Sequence, residues 1–475
     1  MIEKNQSVVG KVTALGTNGE GIIRHEGTTF FVPACLPEEE VRFKVLKIKN
    51  GIGYGKIEEI LSPSFSRVSP RCPHFLKCGG CDLQHLSYAG QLAFKRGLVQ
   101  DALKKIGGIE TAVGDTVPCE KEYAYRNKLQ LPVSVDKDGQ TVVGFYATRS
   151  HRIVPLERCD IHPSWAETLI SVFKEYVKKS GVKGYDEEKK TGDVRHLIAR
   201  EIGGKFIFTV VGRGKKLPSA QVLVDGLQGA FHDFTLYYNR NEKETNVILG
   251  KEFTLVHGSG FFEATEGGIT YEAGPATFLQ VNETVRAKLY EAAVSSVVEE
   301  GDEVVIDAYS GGGLMTAMIA KKAKQVFGIE LEAEAVRCAN ALKEKNGSQN
   351  MQNICGYVEE EIQAVLQKVK GGKTRLIVDP PRAGVHKNAL QAIAASGVEK
   401  ITYVSCNPAT LARDLGILTG SLAERDGVLV KADEAQGAYE IVSVTPYDMF
   451  PQTKHVETLV CLSRKETVIG CFTRL

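Results

Sequence analysis

The spacing of apolar and polar positions changes twice along the chain. Residues 1–61 run as short apolar alternations, SVVGKVTAL, GIIRHEGTTFFV and EEEVRFKVLKIKNGIGYGKIEEIL, broken by turn segments such as GTNGEG. Strand-like runs about every 8–12 residues with glycine between them predict a small OB-like β-barrel. Residues 62–262 open on a cysteine-rich stretch and continue with KLQLPVSV, TVVGFYA and KFIFTVVG, which predict a central α+β domain. From 263 to 475 strand runs alternate with longer helical patterns: VRAKLYEAAVSSVVEE, DEVVIDAYS, LMTAMIAKKA, QVFGIEL and AEAVRCANALKEK. That alternation predicts an α/β domain with βαβ units and a parallel, doubly wound sheet.

With 475 residues, 43% of them hydrophobic, the chain is long enough for two or three cores. It contains no 18-residue apolar run, and MIEKNQSVVG lacks the apolar centre of a signal peptide. The expectation is a soluble cytoplasmic protein with no membrane partner. The net charge of +1 does not announce a nucleic-acid partner. Residues 61–160, however, carry 14 Lys/Arg against 10 Asp/Glu, an excess of 14 − 10 = +4. Small barrels often bind single-stranded nucleic acid with their faces and loops, so such a partner stays open beside simple packing.

The eleven cysteines are spaced too irregularly for a disulfide framework in so long a chain, which points some of them toward metal. RCPHFLKCGGCDLQHL supplies Cys72, Cys78 and Cys81 in a C-x5-C-x2-C spacing. Four-coordination needs one more thiolate; Cys159 in PLERCD is the best candidate, with Cys35 and Cys119 as rivals. Spacing alone leaves zinc and an iron–sulfur cluster equally open.

EVVIDAYSGGGL, residues 303–314, is a strand leading through a glycine turn into a helix. A dinucleotide fingerprint would need glycine at 316, where Thr316 stands. The next strand, QVFGIE, ends on Glu330, an acid suited to ribose hydroxyls. A glycine turn with that acid and no phosphate-reading pattern fits S-adenosyl-L-methionine better than NAD. TRLIVDPPRAG ends another strand on Asp379, and KITYVSCNPATLARDL puts Cys406 just past a further one. Asp307, Tyr309, Glu330, Asp379 and Cys406 thus lie at the carboxyl ends of predicted parallel strands, where open α/β sheets keep their ligands. YEIVSVTPYDMFPQTKHVETLVCLSR reads as two strands whose loop brings His455 and Glu457 toward the same crevice. A cysteine, a base and such a cofactor turn are what methylation of a uracil at C5 requires. A thiolate adds to C6 to make C5 nucleophilic, and a base later removes the C5 proton.

These segments resemble the RNA uridine-C5 methyltransferases, and within them the branch acting on 23S ribosomal RNA. The likeness is carried by CPHFLKCGGCDLQHL, EYAYRNKLQL, GFYATRSHRIVPLERC, DVRHLIAR, TFLQVN, VSCNPATLARDL and PQTKHVETLV, spread over essentially the whole chain. It implies a TRAM RNA-binding barrel in 1–61, an iron–sulfur domain in 62–262 and a class I, Rossmann-like methyltransferase domain in 263–475. It further implies a [4Fe–4S] cluster on Cys72, Cys78, Cys81 and Cys159. Cofactor contacts would come from Gln280, Tyr309, Glu330 and Asp379, the nucleophile would be Cys406 and the base Glu457. The partner would be 23S ribosomal RNA and the protein a monomer. The rival readings are a tRNA uridine-C5 methyltransferase, whose branch is expected to lack barrel and cluster, and a non-catalytic iron–sulfur RNA-binding protein.

Overall fold

The computed structural model describes residues 2–369, 373–425, 428–432 and 436–465. The end of the third predicted domain, 466–475, lies outside the described residues.

The first five strands, β1 (Ser7–Leu15), β2 (Gly21–His25), β3 (Thr28–Val32), β4 (Glu40–Lys49) and β5 (Ile52–Ser62), close into a barrel in the order β1-β2-β3-β5-β4. Their alternate apolar residues meet inside it: Val12, Ile23, Phe30, Val41 and Phe43 are fully buried. Gly53 permits the closure, since a Cβ there would stand 2.3 Å from the ring of Phe30.

After helix α1 (Tyr88–Lys105) the chain builds a mostly antiparallel sheet. It comprises β6 (Lys128–Val135), β7 (Thr141–Tyr146), β8 (Ile153–Pro155), β9 (Val194–Ile202), β10 (Lys205–Gly212), β11 (Phe234–Arg240) and β12 (Glu252–His257). Its order is β12-β11-β10-β9-β6-β7-β8. Helices α2 (Trp165–Ser180) and α3 (Ala220–Gln228) cover one face through Leu169, Phe173, Leu223 and Leu227.

A hairpin, β13 (Phe262–Glu266) with β14 (Ile269–Ala273), and helix α4 (Glu283–Val297) lead into the last domain. Its first strands and helices are β15 (Val304–Ala308), α5 (Leu314–Ala320), β16 (Gln325–Glu330), α6 (Ala333–Asn346), β17 (Met351–Cys355) and α7 (Val358–Lys368). There follow β18 (Thr374–Val378), α8 (Lys387–Ala395), β19 (Lys400–Ser405), α9 (Pro408–Thr419), a small β20–β21 hairpin (Leu422–Arg425, Val428–Lys431), β22 (Tyr439–Tyr447) and β23 (Glu457–Arg464). The sheet order is β17-β16-β15-β18-β19-β23-β22, parallel except at β23 and β22. This is the Rossmann-like α/β sheet of the methyltransferase class expected from the sequence. The order reverses between β15 and β18, and ligands bind outside the strand ends at such a point.

Packing does not follow the linear division at 62 and 263. Val99 and Leu103 of α1, with Ile109 and Val113 after it, join the core of the last sheet, and α1 lies against α9. The terminal strand β23 is also not at an edge. It inserts between β19 and β22, so Glu457 begins a strand hydrogen-bonded on both sides.

Candidate active site

A cavity of about 670 Å³ opens at the carboxyl ends of β18 and β19. Gln280, Asp379, Cys406, His455 and Glu457 line it, and so do Cys72, Cys78, Cys81 and Cys159. Eight of the ten residues to which the resemblance assigns a role therefore face one space, with His455 beside them; the other two are Tyr309 and Glu330.

Cys406 follows the last residue of β19, and its successor Asn407 caps α9 by accepting from Ala409 N at 3.1 Å. Pro408 at the first turn starts that helix and ends the strand. A sulfur just before a helix N-terminus sits where the peptide dipoles favour the thiolate. Burial works against them and pushes the Cys406 thiol up, with Glu457 and Asp379 adding to the rise and Arg382 opposing it. Glu457 is 2% exposed, and burial, then Asp379, pushes its carboxyl up to about 8, again against Arg382. Asp379 is partly open to the cavity, but its carboxyl is enclosed and burial lifts it to about 7. His455 goes the other way: burial, then the nearby cations led by Arg382, lower it to about 4, so at neutral pH it is an uncharged imidazole.

Arg382 thus acts electrostatically on Cys406, Glu457 and His455 alike. No role in the site is expected of it from sequence. Its loop is fixed from α9: Asn407 Nδ2 and the Thr410 hydroxyl both donate to the Arg382 carbonyl, at 3.1 and 3.3 Å. Phe278 was missed as well. It lines the cavity two residues before Gln280 while 76% exposed, an aromatic face left open in the same cavity as Cys406. The signal for both lay in the motifs DPPR and TFLQ, a cation and an aromatic flanking the chosen residues.

Tyr309 and Glu330 stand beside the glycine turn instead. Tyr309 holds a left-handed φ of 68° and donates its N–H to Ile329 O at 2.9 Å. The Glu330 carboxylate accepts from Gly311 N at 3.0 Å and Glu332 N at 2.9 Å, tying the turn to β16. Gly313 has a φ of 82°, and a Cβ there would meet Ala339 at 2.7 Å. A Cβ on Gly311 or Gly312 would meet nothing within 4 Å, so the turn offers an open cradle of backbone. Asp307 departs from expectation. It is 2% exposed and accepts from the Thr316 hydroxyl at 2.5 Å, which binds the strand to α5 and keeps the carboxyl out of the cavity. Burial, with Asp379 and Glu330 nearby, raises Asp307 to about 7. The acidic cradle fits a ligand that is cationic at sulfur and carries ribose hydroxyls.

The loop before Glu457 is held mostly from the N-terminal half, with Asn282 adding one bond, from its Nδ2 to Met449 O at 3.2 Å. Asp82 N and Leu83 N both donate to Gln452 O at 3.0 Å, and Lys454 N donates to the Asp82 carboxylate at 3.2 Å. Gln91, 1% exposed, accepts from Gln452 N at 2.9 Å and donates to Gln452 Oε1 at 3.0 Å. The ammonium of Lys95 pairs with Asp448, both fully buried, and also donates to Phe450 O at 2.9 Å. Removing one partner of such a pair costs about 3–5 kcal/mol. Lys454 reaches the barrel at Asn18 (2.9 Å).

At the other end of the cavity the four thiols of Cys72, Cys78, Cys81 and Cys159 are all pushed up by burial first. Cys159 reaches about 12, and Cys81 and Cys159 are raised further by the other thiols of the group. Among the described residues no three His, Cys, Asp or Glu side chains converge as a single metal ion would require. One zinc ion would need its sulfurs within about 3.8 Å of each other, from a Zn–S bond of about 2.3 Å in tetrahedral geometry.

The chain was compared with known proteins. A family model described as tRNA (uracil-5-)-methyltransferase matches residues 243–465. An uncharacterised RNA methyltransferase of Clostridium tetani is 38% identical over 466 residues, covering 97% of each chain. Another from Listeria innocua is 37% identical over 469 residues, covering 98% of this chain and 99% of that one. The crystal structure of Pyrococcus abyssi tRNA (uracil-54, C5)-methyltransferase with S-adenosyl-L-homocysteine superposes with a TM-score of 0.74 at 27% identity, covering 96% of this chain and 99% of that one. Whole-length relatives, a matching catalytic half and a methyltransferase-type sheet agree: the chain belongs to the RNA uridine-C5 methyltransferase family and is an S-adenosylmethionine-dependent RNA methyltransferase.

Proposed function

We propose that the protein methylates C5 of a uridine in 23S ribosomal RNA, with Cys406 as nucleophile and Glu457 as base. The observation that carries this reading is that Cys406 and Glu457, from separate strands, open on one cavity together with Gln280, Asp379 and Phe278. S-adenosylmethionine, when bound at the glycine turn beside Tyr309 and Glu330, supplies an electrophilic methyl group. Phe278 offers a stacking face to a base turned out of its helix. Cys406 adds through sulfur to C6 of the uracil, and the displaced electron pair makes C5 nucleophilic. Once C5 is methylated, Glu457 as carboxylate takes the C5 proton, the C5–C6 double bond re-forms and the Cys406 thiolate leaves. Arg382 compensates the negative charge that both groups need, and Asp379 in the same cavity is the expected cofactor contact.

Cys72, Cys78, Cys81 and Cys159 are the residues that would hold a [4Fe–4S] cluster. The donor set fits: four half-buried thiols, all pushed up by burial, face one space, yet they do not converge on one point. A cluster would supply iron–thiolate bonds that fix the segment running into Asp82 and Leu83. The barrel of 1–61 is read as a TRAM-like RNA-binding module.

A tRNA substrate is the second reading, and one observation favours it. The Pyrococcus tRNA enzyme matches this fold over nearly the full length of both chains. A barrel and an N-terminal half are therefore no mark against tRNA, contrary to the expectation from sequence. Incubation with 5-fluorouracil-substituted 23S ribosomal RNA or tRNA and S-adenosylmethionine tests both. Fluorine cannot leave as a proton, so the true substrate is expected to form a covalent complex that survives denaturing gels. Trapping of tRNA alone overturns the ribosomal assignment, and no trapping overturns the thiolate mechanism.

A further inference from the structure

We infer that the central-domain wall of the cavity is a phosphate site, built from Arg126, Lys128 and Arg200, which takes a backbone phosphodiester of the RNA next to the target uridine. This rests on the RNA reading above and adds the group that seats the substrate's backbone.

Lys128 on β6 and Arg200 on β9 are direct cross-strand partners, and both line the cavity. Like charges set directly opposite on neighbouring strands repel. Arg126, two residues before Lys128 and so on the same side of the chain, lines the cavity too. Among the described residues none of the three side chains hydrogen-bonds a carboxylate. The only charges acting on Lys128 are Arg200 and Arg126, which with burial lower its ammonium to about 8. Arg126 Nε donates only to the Lys128 carbonyl (3.2 Å). Arg200, 5% exposed, donates to Leu279 O at 3.2 Å, and the carboxylate it feels, Glu283, already accepts from Asn127 at 3.0 Å. Arginine and lysine are almost never buried unless paired. One buried and two half-buried cations on one wall, with no carboxylate hydrogen-bonded to them among the described residues, therefore point to an anion that arrives with the ligand.

The position selects the anion. Arg200 anchors the carbonyl of Leu279, so the cations border the segment that carries Phe278 and Gln280 into the same space as Cys406. A uridine whose base reaches Cys406 brings its own phosphates into that space. The cavity's acids serve elsewhere: Asp379 and Glu457 act on Cys406, and Asp160 faces Arg158 and Arg71 at 3.5 and 3.9 Å. A guanidinium fork beside an ammonium is suited to a phosphate.

The test measures binding of an unmodified transcript of the trapped substrate with S-adenosylhomocysteine present, over a range of salt, for wild type and Lys128→Met. The variant keeps the bulk of the side chain and loses its charge. Its slope of log K against log salt is expected to be shallower by about one, with affinity about tenfold lower at 0.1 M salt. KM for RNA rises far more than kcat falls, S-adenosylhomocysteine affinity stays at the wild-type value, and Lys128→Arg restores the slope. Arg126→Gln gives the same change should Lys128→Met fold poorly. An unchanged slope in both variants overturns the site. Loss of iron or of visible absorbance with an unchanged slope also overturns it, by assigning the cations to the cysteine end. If wild type traps 5-fluorouracil RNA yet the slopes agree, only the phosphate site falls; if wild type binds no RNA, the methyltransferase substrate falls with it.

Discussion

The two cysteine groups on the cavity both hold partly buried thiols, and they surround them differently. At the Cys406 end one sulfur is raised by burial and by two acids, while a single cation, Arg382, and the start of α9 oppose the rise. At the other end four sulfurs are raised by burial; neighbouring thiols raise Cys78, Cys81 and Cys159 further, while Asp160 raises Cys72 and Arg158 opposes that rise. A partly offset thiol can ionise for the moment of attack, which suits a nucleophile. Thiols that raise one another resist ionising unless a cation arrives, which would suit a permanent metal site. The lesson is that burial alone does not distinguish the two groups, whereas their neighbours do: two acids and a cation around Cys406, mainly other thiols around Cys81 and Cys159.

That contrast can be broken at several points. The largest effect is expected from Cys406→Ala. It should lower methyl transfer by roughly 10³-fold or more, abolish the covalent complex with 5-fluorouracil RNA and leave S-adenosylhomocysteine binding intact. Turnover near wild type would remove Cys406 from the chemistry. At the cysteine end, protein purified without air should be brown and carry about four irons per chain, and Cys81→Ser should lose both colour and iron. Because Cys81 leads directly into the Asp82–Gln452 contacts, the same change should lower the thermal midpoint and slow turnover through the loop carrying Glu457. Stoichiometric zinc in place of iron would refute the cluster. The smallest effect is expected from Arg382→Met. Removing the cation that opposes the rise of Cys406 and Glu457 moves both further upward. Glu457, already near 8, must be ionised to accept a proton, so the alkaline-rising limb of kcat/KM should shift up by about one pH unit. The rate at pH 7 should fall about tenfold and recover near pH 9. A uniform loss at every pH would instead make Arg382 a substrate contact.

Much of the site was legible because it is local in sequence. Each parallel strand is a short apolar run, and the residue after it reaches the carboxyl edge whatever the rest of the fold does, which is how Tyr309, Asp379 and Cys406 were found. Asp307 shows where that logic stops. It lies one residue short of the end of β15, and its carboxyl turns to Thr316 on α5. Arg382 and Phe278 were passed over because neither residue type has a fixed role; only their shared cavity with Cys406 gives them one.

Sequence by itself determined the barrel, the alternation that winds the sheet, the glycine turn and the identity of the thiols, since period, propensity and turn chemistry act over a few residues. Only the tertiary structure decided that α1 belongs to the core of the last sheet and that β23 lies inside it. It also decided that the chain after Cys81 clamps the loop before Glu457. These are contacts between residues some 360 positions apart, such as Gln91 with Gln452. No local pattern encodes them, because a buried amide or ammonium is stable only once its distant partner has arrived.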